Sequence, residues 1–194
     1  EAVGTDGLAI VGLELDGGFR QRLRSTPQAE ATVDWLWPHV NDGGEWAERY
    51  GAALRVVDAS NVSLREITVR TWQNGLMLER VTDSVVADCD ASFLSGWGLA
   101  LWRVERTLVA RNAFDFCIRG YSHGVYNRGQ DSAGILMFEQ CSDNVVVRNS
   151  ATHGGNGVFG FAGRAALGDV PEEQRRDAAW YRGRGCNGNL FAEN

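Results

Sequence analysis

A short pattern returns along this chain at a fixed distance, and a chain with such a period has few ways to fold. The runs NVSLRE from Asn61, SVVADC from Ser84, TLVARN from Thr107 and NVVVRN from Asn144 repeat one another. So do GLMLERV from Gly75, GLALWRV from Gly98, GILMFEQ from Gly134 and GVFGFAG from Gly157. Val62 to Val85, Val85 to Leu108 and Cys89 to Asn112 are each 23 residues apart. A period in the twenties with two or three strand signals per unit reads as a solenoid, because one such unit cannot bury its apolar face and must stack on its neighbours.

Each run is short, rich in Val, Leu and Ile, and bounded by Gly, Asn, Asp or Ser, which is strand-and-turn chemistry rather than helix. The dense Leu consensus of leucine-rich repeats is missing. The expected fold is therefore all-β, a right-handed parallel β-helix of roughly 23-residue coils stacked about 4.8 Å apart. Alternation predicts aligned inward rows of Val62 and Leu64, Val85 and Ala87, Leu108 and Ala110, and Val145 and Val147. A polar turn position runs Glu66, Cys89, Asn112, Asn149, Asn194. Asn suits such a turn because its amide bonds locally and tolerates left-handed backbone, so the row is structural. Residues 56–194 read as coils. Residues 1–55 read as one or more first coils, including LAIVGLELDG from Leu8, broken by an irregular insertion or cap. That insertion carries Asp34, Trp35, Trp37, His39 and Trp46, either overhanging a groove or burying Trp in a flap. A start at Glu1 and an end in mid-coil read as a processed or partial chain.

From about Val56 onward the chain resembles the bacterial right-handed parallel β-helix repeat proteins, the group described as carbohydrate-binding and sugar-hydrolysis repeats. RGYSHGVYNRGQDSAGILMFEQCSDNVVVRNSATHGGNGVFGFAG, from Arg119 to Gly163, is similar to one subgroup of secreted members. The resemblance implies a polysaccharide or oligosaccharide partner and a secreted, periplasmic or cell-surface location. It does not imply one chemistry, since such scaffolds host lyases, epimerases, hydrolases, adhesins and spacers.

The net charge of -6, without a basic run, excludes the usual nucleic-acid footprint. No apolar stretch is long enough to span a membrane. No CxxC metal pattern occurs, no cofactor is implied, and nothing indicates Ca²⁺. Cys141 and Cys186 occupy equivalent coil positions, where a disulfide and a reduced buried ladder are both compatible with the pattern. Between Ala162 and Gly185, Asp169, Pro171, Glu172, Glu173 and Gly183 carry start and stop signals for a short helix, with Trp180 and Tyr181 packing on the coil or walling a groove.

The jump from Asn112 to Asn149 is 37 residues, so roughly fourteen are inserted, just before GILMF. They concentrate Tyr121, His123, Tyr126, Arg128, Gln130 and Asp131. The equivalent turns of other coils add Trp72, Asn74, Trp97, His153 and Asn156. Strand alternation sends Trp102, Phe138 and Phe161 outward in one column above Glu79, which predicts an exposed aromatic strip for sugar rings. Carboxylates are too few for a hydrolytic pair. His, Tyr and Arg suit proton removal beside a uronate carboxylate, with a cation for the developing charge. The expected activity is therefore lyase- or epimerase-type chemistry on an acidic glycan. His123 or Tyr126 would serve as base and acid, Arg128 as carboxylate clamp, His153 and Asn156 as supporting donors, and Asp131 as an orienting group. A non-catalytic glycan-binding or spacer module is the alternative, and a glycoside hydrolase ranks below both.

Overall fold

The computed structural model describes residues 1–18, 41–119 and 132–194. These residues are mostly β, and every strand pairing is parallel. One six-stranded sheet has the order β1 (Ala2–Val3), β4 (Ala52–Ser60), β7 (Asn74–Thr82), β9 (Trp97–Trp102), β11 (Ala133–Phe138), β13 (Asn156–Phe161). The second is β2 (Ala9–Val11), β5 (Ser63–Arg65), β8 (Val85–Ala87), β10 (Leu108–Ala110), β12 (Val145–Val147), β14 (Leu190–Ala192). A small third sheet pairs β3 (Glu14–Asp16) with β6 (Thr68–Arg70). Strand order follows sequence order in both large sheets, each repeat adding one strand to each beside its predecessor.

The core lies between the large sheets: Leu76, Leu78, Leu99, Leu101 and Ile135 of the first meet Leu64, Val86, Val109 and Val146 of the second. This corrects the inward rows. Val62, Leu64, Ala87 and Ala110 are buried, but Val85, Leu108, Val145 and Val147 lie toward solvent, and the central residue of each later run faces the core. The cause is a 22-residue step between β5 and β8, which pairs Leu64 with Val86. A one-residue slip exchanges the two faces of a strand. The same slip puts Ile67, not Glu66, in line with Cys89.

The Asn row is present, with Asn112 and Asn149 buried, but the left-handed residue at each turn is the one before it, Arg111, Arg148 and Glu193, and the amides bond across repeats rather than within their own turn. Asn149 Oδ1 accepts from the backbone N–H of Asn112 at 3.0 Å and from Asn112 Nδ2 at 2.9 Å. Asn149 Nδ2 in turn donates to Val109 O at 3.0 Å and to Asn194 Oδ1 at 2.9 Å. A second row, Ser84, Thr107, Asn144, Asn189, caps the turn on the other side of the strands. Asn149→Leu should lower unfolding free energy by about 1 to 3 kcal/mol, because it strands a buried amide and a buried carbonyl. Urea denaturation would show it, and an unchanged midpoint would contradict the ladder.

Turns adopt left-handed backbone at many non-glycine residues, aligned in columns. One column, after the strands of the second sheet, is Glu66, Asp88, Arg111, Arg148, Glu193. Ion pairs tie neighbours along it, Arg111 to Asp88 at 2.7 Å and Arg148 to Glu193 at 2.6 Å. The glycines that open the first-sheet strands serve close packing instead. A Cβ at Gly98 would lie 2.7 Å from Gly134 O and from Phe114 Cβ.

Among the described residues there are two short α-helices, α1 (Glu45–Arg49) and α2 (Ala178–Arg182). The single helix expected after Asp169 is divided into a 3-10 turn at Glu172–Gln174 and α2, whose N-cap is Asp177, accepting from Trp180 N at 2.9 Å. All four cysteines are free thiols, and burial pushes Cys117 up to about 12.

Candidate functional site

The aromatic column exists, but it is covered. Glu79 pairs with Trp102, Trp102 with Phe138, and Phe138 with Phe161, all outside the main core as alternation requires. Trp102 and Phe138 are nonetheless fully buried. Trp46 of α1 lies over them, 5.3 Å from Trp97 and 5.8 Å from Phe138, with Tyr50 4.8 Å from Trp97. The exposed sugar strip is therefore corrected to a second core. Left open, the outward rings of β9, β11 and β13 would be a large wet apolar patch, and the irregular N-terminal segment supplies Trp46 and Tyr50 to cover it.

Other expected ligand contacts are absorbed the same way. Asn74 is buried, its Oδ1 accepting from Trp97 N at 2.8 Å and its Nδ2 donating to Gly51 O at 3.2 Å. Trp97 is buried, and Trp72 packs against the main core. Phe161 is partly buried against the second core, and Asn156 is exposed, donating to Ser132 O at 3.4 Å. Tyr121, His123, Tyr126, Arg128, Gln130 and Asp131 lie outside the described residues. The segment that carries them leaves through buried Arg119 and returns at buried Ser132, at the edge from which the first-sheet strands start.

That edge holds His153 and two rings that the sequence reading missed. Thr71, Phe93, Phe116 and His153 form a left-handed column. Phe93 stacks on Phe116 at 4.8 Å and 5°, and Phe116 on His153 at 4.8 Å and 12°. Phe93 is 59% exposed and Phe116 41%. The signal was available, since Phe93, Phe116 and His153 keep the offsets of Cys89, Asn112 and Asn149.

Beside the stack, Asp115 Oδ1 accepts from Ser150 Oγ at 2.7 Å and from Thr152 N and Oγ1 at 2.8 Å. Burial raises this carboxyl, but those bonds and the nearby His153 outweigh it and hold it below its usual range. Ionised, it only accepts, so the Thr152 hydroxyl proton is committed to it. The 3.0 Å contact between Thr152 Oγ1 and His153 Nδ1 then needs a hydrogen on Nδ1. Nε2 is then the ring nitrogen without a hydrogen-bond partner among the described residues. Arg70, paired with Asp90, lies 5.9 Å over the Phe93 ring.

The opposite edge, where the first-sheet strands end, holds a cleft of about 280 Å³. Its floor is Glu139, 7% exposed, whose Oε2 accepts from Trp102 Nε1 at 3.2 Å and from Arg103 at 3.1 Å. Burial pushes this carboxyl above its usual range despite Arg103 and Trp102. Arg103 also forks onto Asp42 at 2.6 and 3.3 Å. Among the described residues no group of three or more His, Cys, Asp or Glu could hold a metal, and no helix is long and apolar enough to cross a membrane.

The chain matches no protein-family model, no curated protein and no solved structure. Function must therefore be read from the two edges themselves. The first offers a solvent-exposed stack of rings with a hydrogen-bonded histidine. The second offers guanidinium and carboxyl groups around a one-ring space.

Proposed function

We propose that this chain is a right-handed parallel β-helix that binds polysaccharide along the Phe93–Phe116–His153 stack and performs lyase- or epimerase-type chemistry on an acidic, uronate-containing glycan. The observation that carries the reading is the pair of solvent-exposed phenylalanines held ring on ring at strand spacing. Exposed Phe in left-handed backbone is unfavourable on both counts, so a ligand that covers the rings gives the arrangement a use. The rings advance along the stacking direction by roughly the length of one sugar unit. Sugar units would lie along the open side of the stack, with His153, Thr152, Arg70 and Asp90 bonding their hydroxyl groups.

The chemistry rests on what this edge also anchors. His123, Tyr126, Arg128 and Asp131, outside the described residues, follow the Phe116 turn in sequence. A base removes the proton beside the uronate carboxylate, and Arg128 holds the enolate-like charge. For elimination, the charge collapses to expel the glycosidic oxygen, which takes a proton from Tyr126, and no water is added. For epimerisation, the proton returns on the other face. His153, its Nδ1 engaged by Thr152 Oγ1, presents Nε2 beside that segment.

The test is a Phe93→Ser, Phe116→Ser double variant titrated with oligosaccharides of alginate, pectin and glucuronan. We expect affinity to fall about tenfold or more, since loss of two ring contacts is worth at least about 1.4 kcal/mol. Melting should hardly move, because exposed side chains add little to stability. Unchanged affinity, or no binding by the parent protein, would overturn the reading. Binding without any rise in absorbance from unsaturated products, and without epimerised product, would assign the chain to the non-catalytic module.

A further inference from the structure

The cleft at the far edge plays no part in that reading, yet it is built with more constraint than any other turn. Glu139 and Gln140 both adopt left-handed backbone, at φ 49 each, the one consecutive non-glycine pair of this kind among the described residues. Strain of this sort persists where surrounding structure over-determines it, and it concentrates at sites of function. Gly163, at φ +87, is pressed so closely that a Cβ there would lie 2.4 Å from Glu139 Cγ and 2.8 Å from Glu139 Oε1. The carboxyl is thus wedged in place from behind by Gly163 and from beneath by Trp102.

Three groups in this cleft are left incomplete: Glu139, Arg184, and Arg103, whose Nε is buried without a hydrogen-bond partner. Glu139 Oε2 takes both of the side chain's hydrogen bonds, and Oε1 has none among the described residues. Arg103 is committed to Asp42 and Glu139, and Arg164 to Asp169 at 2.8 Å. Arg184 has no carboxylate partner among the described residues. Its guanidinium is instead laid 4.8 Å over the Trp180 ring and steered by one hydrogen bond to Gln140 Oε1 at 3.2 Å. A guanidinium fixed in direction by an aromatic ring and an amide, with most of its donors unused, is matched to an incoming carboxylate.

We propose that this cleft is a second ligand site, separate from the ring stack, that takes one polyhydroxylated carboxylate unit of the acidic-sugar class. The ligand carboxylate would lie on Arg184, and a ring hydroxyl would bond Glu139 Oε1. The space of about 280 Å³ is just short of the range for drug-sized ligands, which suits a single ring. Gly163 to Gly185, inserted between the repeats, supplies both the wall and Arg184, so selectivity here belongs to the insertion rather than to the repeating scaffold. The site does not depend on glycan binding at the stack.

Titration calorimetry with sodium glucuronate, and with glucose as its neutral counterpart, tests the assignment on the whole chain. The parent protein should bind glucuronate saturably and glucose at least about tenfold more weakly. Arg184→Met should reduce glucuronate affinity about tenfold or more with unchanged melting, and Arg184→Lys should restore part of it. The Phe93→Ser, Phe116→Ser variant should bind glucuronate as the parent does, which separates this site from the stack. No saturable glucuronate binding, equal binding of glucose, indifference to Arg184→Met, or loss of binding in the double Phe variant would each overturn the proposal.

Discussion

Trp102→Ala should destabilise the protein by about 3 to 5 kcal/mol, the usual cost of deleting a large buried ring. Trp102 is fully buried and pairs directly with Phe138. The guanidinium groups of Arg103 and Arg80 lie 4.2 and 5.1 Å from its ring, and its Nε1 bonds Glu139. Truncation opens a cavity in the second core, removes two cation–π contacts, and deprives an already buried carboxyl of a donor. Equilibrium unfolding in guanidinium chloride would measure the loss. A Trp102→Ala protein as stable as its parent would mean that the ring is open to solvent, which would restore the exposed aromatic strip.

Glu79→Ala should cost a similar amount, about 3 to 5 kcal/mol, for an electrostatic reason. The Glu79 side chain is 1% exposed. Its carboxylate takes Arg55 Nε at 2.5 Å, Arg55 Nη2 at 2.9 Å and Asn41 Nδ2 at 2.8 Å. Removing it leaves a half-buried guanidinium with only Glu1 and unlatches Asn41. Asn41 Oδ1 holds the first turn of α1 through Trp46 N at 2.9 Å, so the cover over Trp97 and Phe138 loosens as well. Tryptophan emission should shift to the red in the folded state as Trp46 and Trp97 meet water. A variant with parental stability and parental emission would show that the cover is held by ring packing alone.

The contrast between these residues and the exposed stack shows what a linear pattern carries. Offsets of 23 and 37 residues specify which positions align, and hydrogen-bonded parallel neighbours follow from them. They do not specify which face of an aligned column is wet. Trp102 and Phe138 were read as exposed because alternation sends them away from the core. Phe93 and Phe116 keep the same offsets, but they stand in turns, where strand alternation says nothing of which side chains are exposed.

Sequence alone thus determined the all-β class, the parallel alignment of repeats, the alignment of the Asn row and the outward direction of Trp102, Phe138 and Phe161. All of these depend on the fixed offsets of the repeats and the period-two alternation of a strand. Tertiary structure decided the rest. It set the 22-residue step that turns Val86 rather than Val85 inward, because register is chosen by the face that must be buried. It brought Trp46, Asn41 and Glu79 together across a long stretch of sequence to close a second core. It also gathered Glu139, Arg103, Asp42 and Arg184 from separate repeats and from an insertion around one cleft, since burial and charge pairing depend on distances in space that no sequence interval records.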